Sequence, residues 1–190
     1  MQELTKPEFD SIVTDVDITN LRSLQAHYAV GFKTLSKHKA NEKKARIAGI
    51  LHDYAKYMAK DEARKYIKQF GIIVDNVTEL NINLAHGLIG AELVKKDFEI
   101  DDKEILDSIR FNTTGRKHMT KLEKIIYLAD YIEPNRKFPG VEEIRNTANK
   151  DLDKAVLMAL DSSIIHVISM GLLIQNDSIL ARNHSVEKIK

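Results

Sequence analysis

A chain of 190 residues is long enough for one sizeable core and too short for two ordinary domains without a visible linker, and it shows no linker. Its 29 Lys and Arg nearly cancel its 28 Asp and Glu and are spread along the whole length, so charge points neither to nucleic acid nor to an anionic membrane. With no cysteine there are no disulfides and no thiolate metal sites, so any metal must sit on imidazole and carboxylate.

The segment Met1 to Pro7 lacks the charged and apolar regions of a secretory signal, and no stretch approaches the roughly 18 to 20 apolar residues of a membrane span. A soluble cytoplasmic protein is expected. Only 8 glycines and 3 prolines interrupt the sequence, and apolar residues recur at three- and four-residue intervals, which predicts an all-α fold. In chain order the predicted helices are Thr19 to Lys37, Asn41 to Lys56 with Asn41 as N-cap, Lys60 to Phe70, Ala85 to Phe98, Asp102 to Arg110, Lys121 to Ile132, Val141 to Asn149 and Leu152 to Ile174. Pro134 and Pro139 bracket a loop after the sixth. No internal repeat appears, so residues 1–190 read as a single helical bundle with its core at about 19–175 and a C-terminal tail at 176–190.

The pair His52-Asp53 closes the apolar run Ile47 to Leu51 and is followed by Lys56. An imidazole and a carboxylate side by side offer a divalent metal two unlike ligands, and a lysine four residues after His52 can reach a bound anion. Ile47, Leu51, Tyr54 and Met58 form an apolar stripe, while Ala45, Ala48, Gly49, Ala55 and Ala59 leave room around His52. Burial of His52 between close-packed helices explains those small residues equally well. Asp130 lies in Ile125 to Ile132, an apolar setting where an acid is costly to bury without a metal or cation, unless it points to solvent. His27 sits mid-helix, and His86 precedes Gly87 at a helix start. Each of these histidines alone reads more readily as a packed or exposed side chain than as a ligand.

A histidine, a later His-Asp pair, another histidine and a late aspartate form the ligand order of the HD-domain metal-dependent phosphohydrolases, which this chain resembles. The segments Ile47 to Lys56, Ala85-His86-Gly87, Thr113-Thr114-Gly115-Arg116 and above all Leu122 to Arg136 are similar to the YqeK family within that superfamily. The resemblance runs from about His27 to Asn183. It implies an HD-domain bundle and symmetrical hydrolysis of diadenosine tetraphosphate to two ADP at one or two divalent transition metals, iron first, with manganese, nickel, zinc or magnesium as alternatives. Carried over by position, His27, His52, Asp53 and Asp130 hold one metal, and Asp53 bridges to a second that His86 helps to bind. Asp53 and Lys56 are then the catalytic pair. A metal can lower the pKa of bound water from 15.7 to about 7, which suits hydrolysis at neutral pH. Lys56, Thr113, Arg116 and Arg136 are the expected substrate contacts, with Thr114 a further hydroxyl and Tyr28, Tyr57 and Phe138 the aromatics available to stack on a base. The expected partner is this nucleotide substrate alone, with no nucleic acid and no membrane, and a homodimer is compatible.

The resemblance fails at one ligand. Where the family carries a histidine before Thr-Thr-Gly-Arg, this chain has Asn112, whose neutral oxygen suits magnesium, calcium or manganese better than iron, nickel or zinc. A weak or absent second metal, a harder metal, or rescue by His118 are the outcomes this allows. Leu24 and Gln25 also replace the family's arginine-aromatic lead. His38, His166 and His184 match no motif and read as surface, packed and tail histidines. Two other functions compete: an HD phosphohydrolase acting on mononucleotides or cyclic nucleotides, and a nucleotide-binding protein whose turnover is impaired by Asn112.

Overall fold

Residues 41–189 are described by the structure, a computed structural model. The expected helix Thr19 to Lys37, and with it His27 and Tyr28, lies outside the described residues, as does His38. The described residues form α1 (Glu42–Leu51), α2 (Lys60–Phe70), α3 (Asn76–Leu80), a 3-10 turn (Ile82–Ala85), α4 (His86–Asp97), α5 (Lys103–Arg110), α6 (Lys121–Tyr131), α7 (Val141–Ala148), α8 (Leu152–Ser169) and α9 (Asn176–Ile189), and no strand. None of these helices is long and apolar enough to cross a membrane.

Local chemistry sets most of the boundaries. Asn41 caps α1 by accepting from Lys44 N at 3.1 Å, and Asp102 and Asp151 cap α5 and α8 in the same way. Thr120 and Glu123 form a reciprocal capping box on α6. α8 stops at Ser169 rather than running to Ile174, because Gly171 takes φ 66° and donates to Ile168 O at 2.9 Å. That left-handed closure ends the helix despite the apolar residues that follow. The segment read as a C-terminal tail is helix α9, which docks on α8 and buries Ala181.

The main core joins α1 (Ala45, Ile47, Ala48, Leu51) to Ile105 and Ile109 of α5, Ile125 and Leu128 of α6 and Val156, Ala159 and Leu160 of α8. A smaller cluster, Ala55, Ala63, Ile82, Ala85, Ile89 and Leu93, seats α2 against α4. α4 therefore serves both, presenting Ala91 and Val94 to one and Ile89 and Leu93 to the other. The segment between the two clusters, His52 to Tyr57, is where the chain turns.

α1 was expected to continue to Lys56. It ends at Leu51 and is followed by three-residue turns, with Tyr54 N on Leu51 O at 3.1 Å and Lys56 N on Asp53 O at 2.9 Å. In a continuing helix Lys56 N would bond the His52 carbonyl. That carbonyl is instead held by Asn112 Nδ2 at 2.6 Å. The predicted apolar stripe breaks accordingly, with Ile47 and Leu51 buried but Tyr54 exposed.

Candidate metal centre

His52 lies at the C-terminal end of α1 with a buried ring. Its Nδ1 donates to Gly49 O at 2.8 Å, which fixes the tautomer and turns Nε2, the nitrogen with a lone pair, toward Asp53 Oδ2 at 3.4 Å. Asp53 is the hub of the site. Its Oδ2 also accepts from Lys56 Nζ at 2.7 Å, and its Oδ1 faces His86 Nε2 at 3.7 Å. Burial pulls the Lys56 ammonium toward neutrality, but the charge and hydrogen bond of Asp53 outweigh it and raise its pKa above the usual lysine value.

Asp130 reaches the same place from the last turn of α6, and ligand atoms of His52, Asp53 and Asp130 all lie within 4.8 Å of one another. Two carboxylates at 4 to 5 Å repel by roughly 3–4 kcal/mol at an effective dielectric near 20. One imidazole and two carboxylates are a donor set of the kind divalent transition metals take. Ligands of one ion, each about 2.0–2.2 Å from it, stand within roughly 4.4 Å of one another, so a contraction of a few tenths of an ångström closes the group on a metal. These residues fit the implied ion.

His86 opens α4, and its Nδ1 donates to Asn83 O at 2.8 Å. It comes this close to α5 because the next residue has no side chain. A Cβ at Gly87 would stand 2.8 Å from Arg110 O and 2.9 Å from Ile109 O. Asn112, just past α5, is buried, with Nδ2 on His52 O and Oδ1 accepting from Thr113 Oγ1 at 2.5 Å. Thr113 Oγ1 lies 3.1 Å from His86 Nε2. The asparagine thus straps the end of α1 to the loop after α5.

Of the expected substrate contacts, Lys56, Thr113 and Arg136 border the cluster. Arg136 Nη2 meets Asp130 Oδ1 at 3.2 Å and its Nε meets Asp130 O at 3.4 Å. Arg116 is engaged within the fold. Its guanidinium is committed to the buried Glu123, at 2.5 and 3.1 Å, and to Asp107 at 3.1 Å, and it covers the Phe111 ring at 4.6 Å. Glu123, already engaged in the capping box, needs a cationic partner where it is buried, and Arg116 supplies it. Thr114 turns to Gly115 O at 2.9 Å. His118, the histidine weighed for rescue of the second metal, packs its ring edge-on against His184 at 4.1 Å. His184 is therefore a packed helical residue rather than a tail one, and His166, expected to be packed, is exposed. Phe138 is occupied against Tyr131 at 5.1 Å, whereas Tyr57 is 79% exposed beside Lys56.

One residue escaped the sequence reading altogether. Arg145 of α7 donates to Ile132 O at 2.9 Å, Glu133 O at 2.6 Å and Arg136 O at 3.0 Å, closing the C-terminal end of α6 and fixing the loop that carries Arg136. Its signal was weak: an arginine in a polar helix, eleven residues after Pro134.

Known proteins are similar to this chain. The HD domain family model matches residues 20–135. The symmetrical bis(5'-nucleosyl)-tetraphosphatase of Bacillus subtilis (strain 168) is 41% identical over 144 residues, 76% of this chain and 77% of that protein. Its namesake from Staphylococcus aureus (strain NCTC 8325 / PS 47) is 34% identical over 152 residues, 77% of this chain and 78% of that protein. A crystal structure of a predicted HD superfamily hydrolase involved in NAD metabolism, from Clostridium acetobutylicum, superposes with a TM-score of 0.88 at 35% identity and covers 99% of this chain and 100% of that one. An all-α bundle that gathers a His-Asp pair and a late aspartate, matched over most of its length by these proteins, belongs to the HD domain family.

Proposed function

We propose that this chain is a metal-dependent hydrolase that cleaves dinucleoside tetraphosphates symmetrically, diadenosine tetraphosphate giving two ADP. The observation that carries the reading is the convergence of His52, Asp53 and Asp130 beside Lys56, in a chain 41% identical to a protein named for this cleavage. His52 Nε2, Asp53 and Asp130 would hold one ion, with His27 as a further ligand, and the second oxygen of Asp53 and His86 would hold another. When bound, such ions supply Lewis acidity and bring the pKa of water from 15.7 toward about 7. Iron is our assignment for the first position, since mixed imidazole and carboxylate donors suit it.

The chain's own part is to place charge. A tetraphosphate carries several negative charges, and the Lys56 ammonium, held at the mouth of the cluster by Asp53, is placed to take a phosphate oxygen. Arg136, whose carbonyl is held by Arg145, offers a second cation beside Asp130. Thr113 presents a hydroxyl on the His86 side. Tyr57, exposed next to Lys56, gives a base a face to stack on. Water adds to one of the two central phosphorus atoms, the bridging oxygen leaves with the other half, and each half departs as a nucleoside diphosphate. Elemental analysis of freshly purified protein, paired with anion-exchange chromatography of the products, tests the proposal. ADP as the sole product is expected, ATP plus AMP overturns symmetrical cleavage, and a major metal other than iron overturns that assignment alone.

A further inference from the structure

The end of α8 and the turn into α9 carry an apolar surface with almost no charge. Ile165 and Ile168 stand on one face of α8, Met170, Leu172 and Leu173 follow in the turn, and α9, docked on α8, adds Leu180. Their exposures run from 48% at Leu180 to 64% at Ile165. From Ser162 to Leu180 the one Asp, Glu, Lys or Arg is Asp177, although these residue types make up 30% of the chain. The surface is also held in shape. Gly171 N and Leu172 N close on Ile168 O and Val167 O at 2.9 and 3.1 Å, and Gln175 Nε2 donates to Asp75 Oδ1 at 3.2 Å and to Thr78 Oγ1 at 3.0 Å. A face that needs no ordering on contact loses little entropy when a partner seats on it.

We propose that this face is the contact of a two-fold symmetric homodimer, in which the last turns of α8 cross those of a second copy. The six apolar residues expose on the order of 700 Å2 per copy, close to the roughly 800 Å2 that each partner buries in a stable complex. Depletion of charge marks the centre of an interface. A surface almost without ionised groups of either sign is complementary to itself, as an isologous contact requires. Other occupants lack that fit. Nucleic acid and anionic lipid call for Lys and Arg around the apolar residues, and the stretch from Ser162 to Leu180 has neither. Within the chain, residues 20–40 fall in the HD domain match, and residues 1–19 carry five acids against one lysine, a poor complement to a face that offers no cation.

Sedimentation velocity of the full chain over a range of concentrations tests this. The wild type is expected to be a dimer at micromolar concentration, with an association that barely changes with salt. Ile165→Glu combined with Ile168→Glu should weaken it by about 100-fold or more, by setting like charges against one another across the axis. Leu172→Lys, outside any helix, should do the same, and it decides alone if the first variant fails to fold. A monomeric wild type, or a dimer that either folded variant leaves unchanged, overturns the proposal. A monomeric wild type that sediments with phosphatidylglycerol vesicles gives the face to a membrane instead. One that stays monomeric while the variants melt lower gives it to residues 1–40.

Discussion

Asp53 sits at the centre of the site, with His52 and Lys56 on one carboxylate oxygen and His86 facing the other. Removing it takes a donor from both proposed ions, so Asp53→Ala should lose metal retention and hydrolysis together. Elemental analysis beside a product assay checks this, and metal retained at wild-type stoichiometry would show that Asp53 does not bridge. Lys56 is separable from that role because its ammonium is a cation and no ligand. Lys56→Met should keep the metal and lose about 10- to 100-fold in kcat/KM, the effect of one charge-assisted hydrogen bond of about 1.5–3 kcal/mol. Steady-state kinetics on the metal-loaded variant reads it, and an unchanged kcat/KM would take Lys56 off the substrate. At this scale the sequence offered candidate donors but not their partners. His52, Asp53 and Asp130 stand out through the resemblance to the HD-domain ligand order, since their spacing alone fits packed or solvent-facing side chains too, whereas the Nδ1 bonds of His52 and His86 go to the carbonyls of Gly49 and Asn83, which no side-chain pattern records.

The helices hold these side chains through ion pairs that the sequence does not disclose. Arg116 looks like a phosphate ligand in a Thr-Thr-Gly-Arg segment, yet it neutralises Glu123, which is 2% exposed. Glu123→Ala should therefore leave Arg116 with Asp107 alone and destabilise the fold by about 1.5–3 kcal/mol, the worth of a hydrogen bond to a charged group, which denaturant titration reads. Arg116→Met should do likewise, and a variant that raises KM with stability intact would return Arg116 to the substrate. α9 has a pH dependence of its own. Desolvation and the positive charges of His184, Lys117 and Lys188 lower the pKa of His118 below its ordinary 6.5, against a smaller opposing pull from Glu187. A histidine whose pKa falls on folding contributes stability that is complete above 6.5 and lost as pH drops through the lowered folded value. Protection of α9 amides against exchange should fall across that window, and His118→Gln should flatten the change; equal protection at pH 7 and pH 5 would refute it. Most helix bodies were legible because periodicity and caps are local. The early end of α1 was not, because the cause is Asn112, 60 residues away. α9 was missed because its only fully buried apolar residue is Ala181, so it shows little stripe to read.

Across the described residues, the site sits where two apolar clusters meet, on the turn after α1 and the last turn of α6. Function there opposes stability, because the fold brings the carboxylates of Asp53 and Asp130 together with the buried ring of His52, with Lys56 and Arg136 among the described cations that offset their charge. A divalent ion that binds this folded arrangement and not the unfolded chain stabilises it by mass action, by about 2.7 kcal/mol at a hundredfold excess over Kd. For a chain of 190 residues that corresponds to a Tm shift of roughly 5–10 °C. Chelation should lower Tm by that amount and re-addition of metal should restore it. The same repulsion predicts an inversion. Asp53→Asn removes one of two neighbouring negative charges, so without metal this variant should melt at or above the stripped wild type, while with metal it should melt below the loaded wild type. Scanning calorimetry of the four samples decides it. If Asp53→Asn is the less stable protein under both conditions by the same margin, then Asp53 serves the fold through its bonds to Lys56 and His52, and the carboxylate pair is not the strained, metal-requiring feature its geometry indicates.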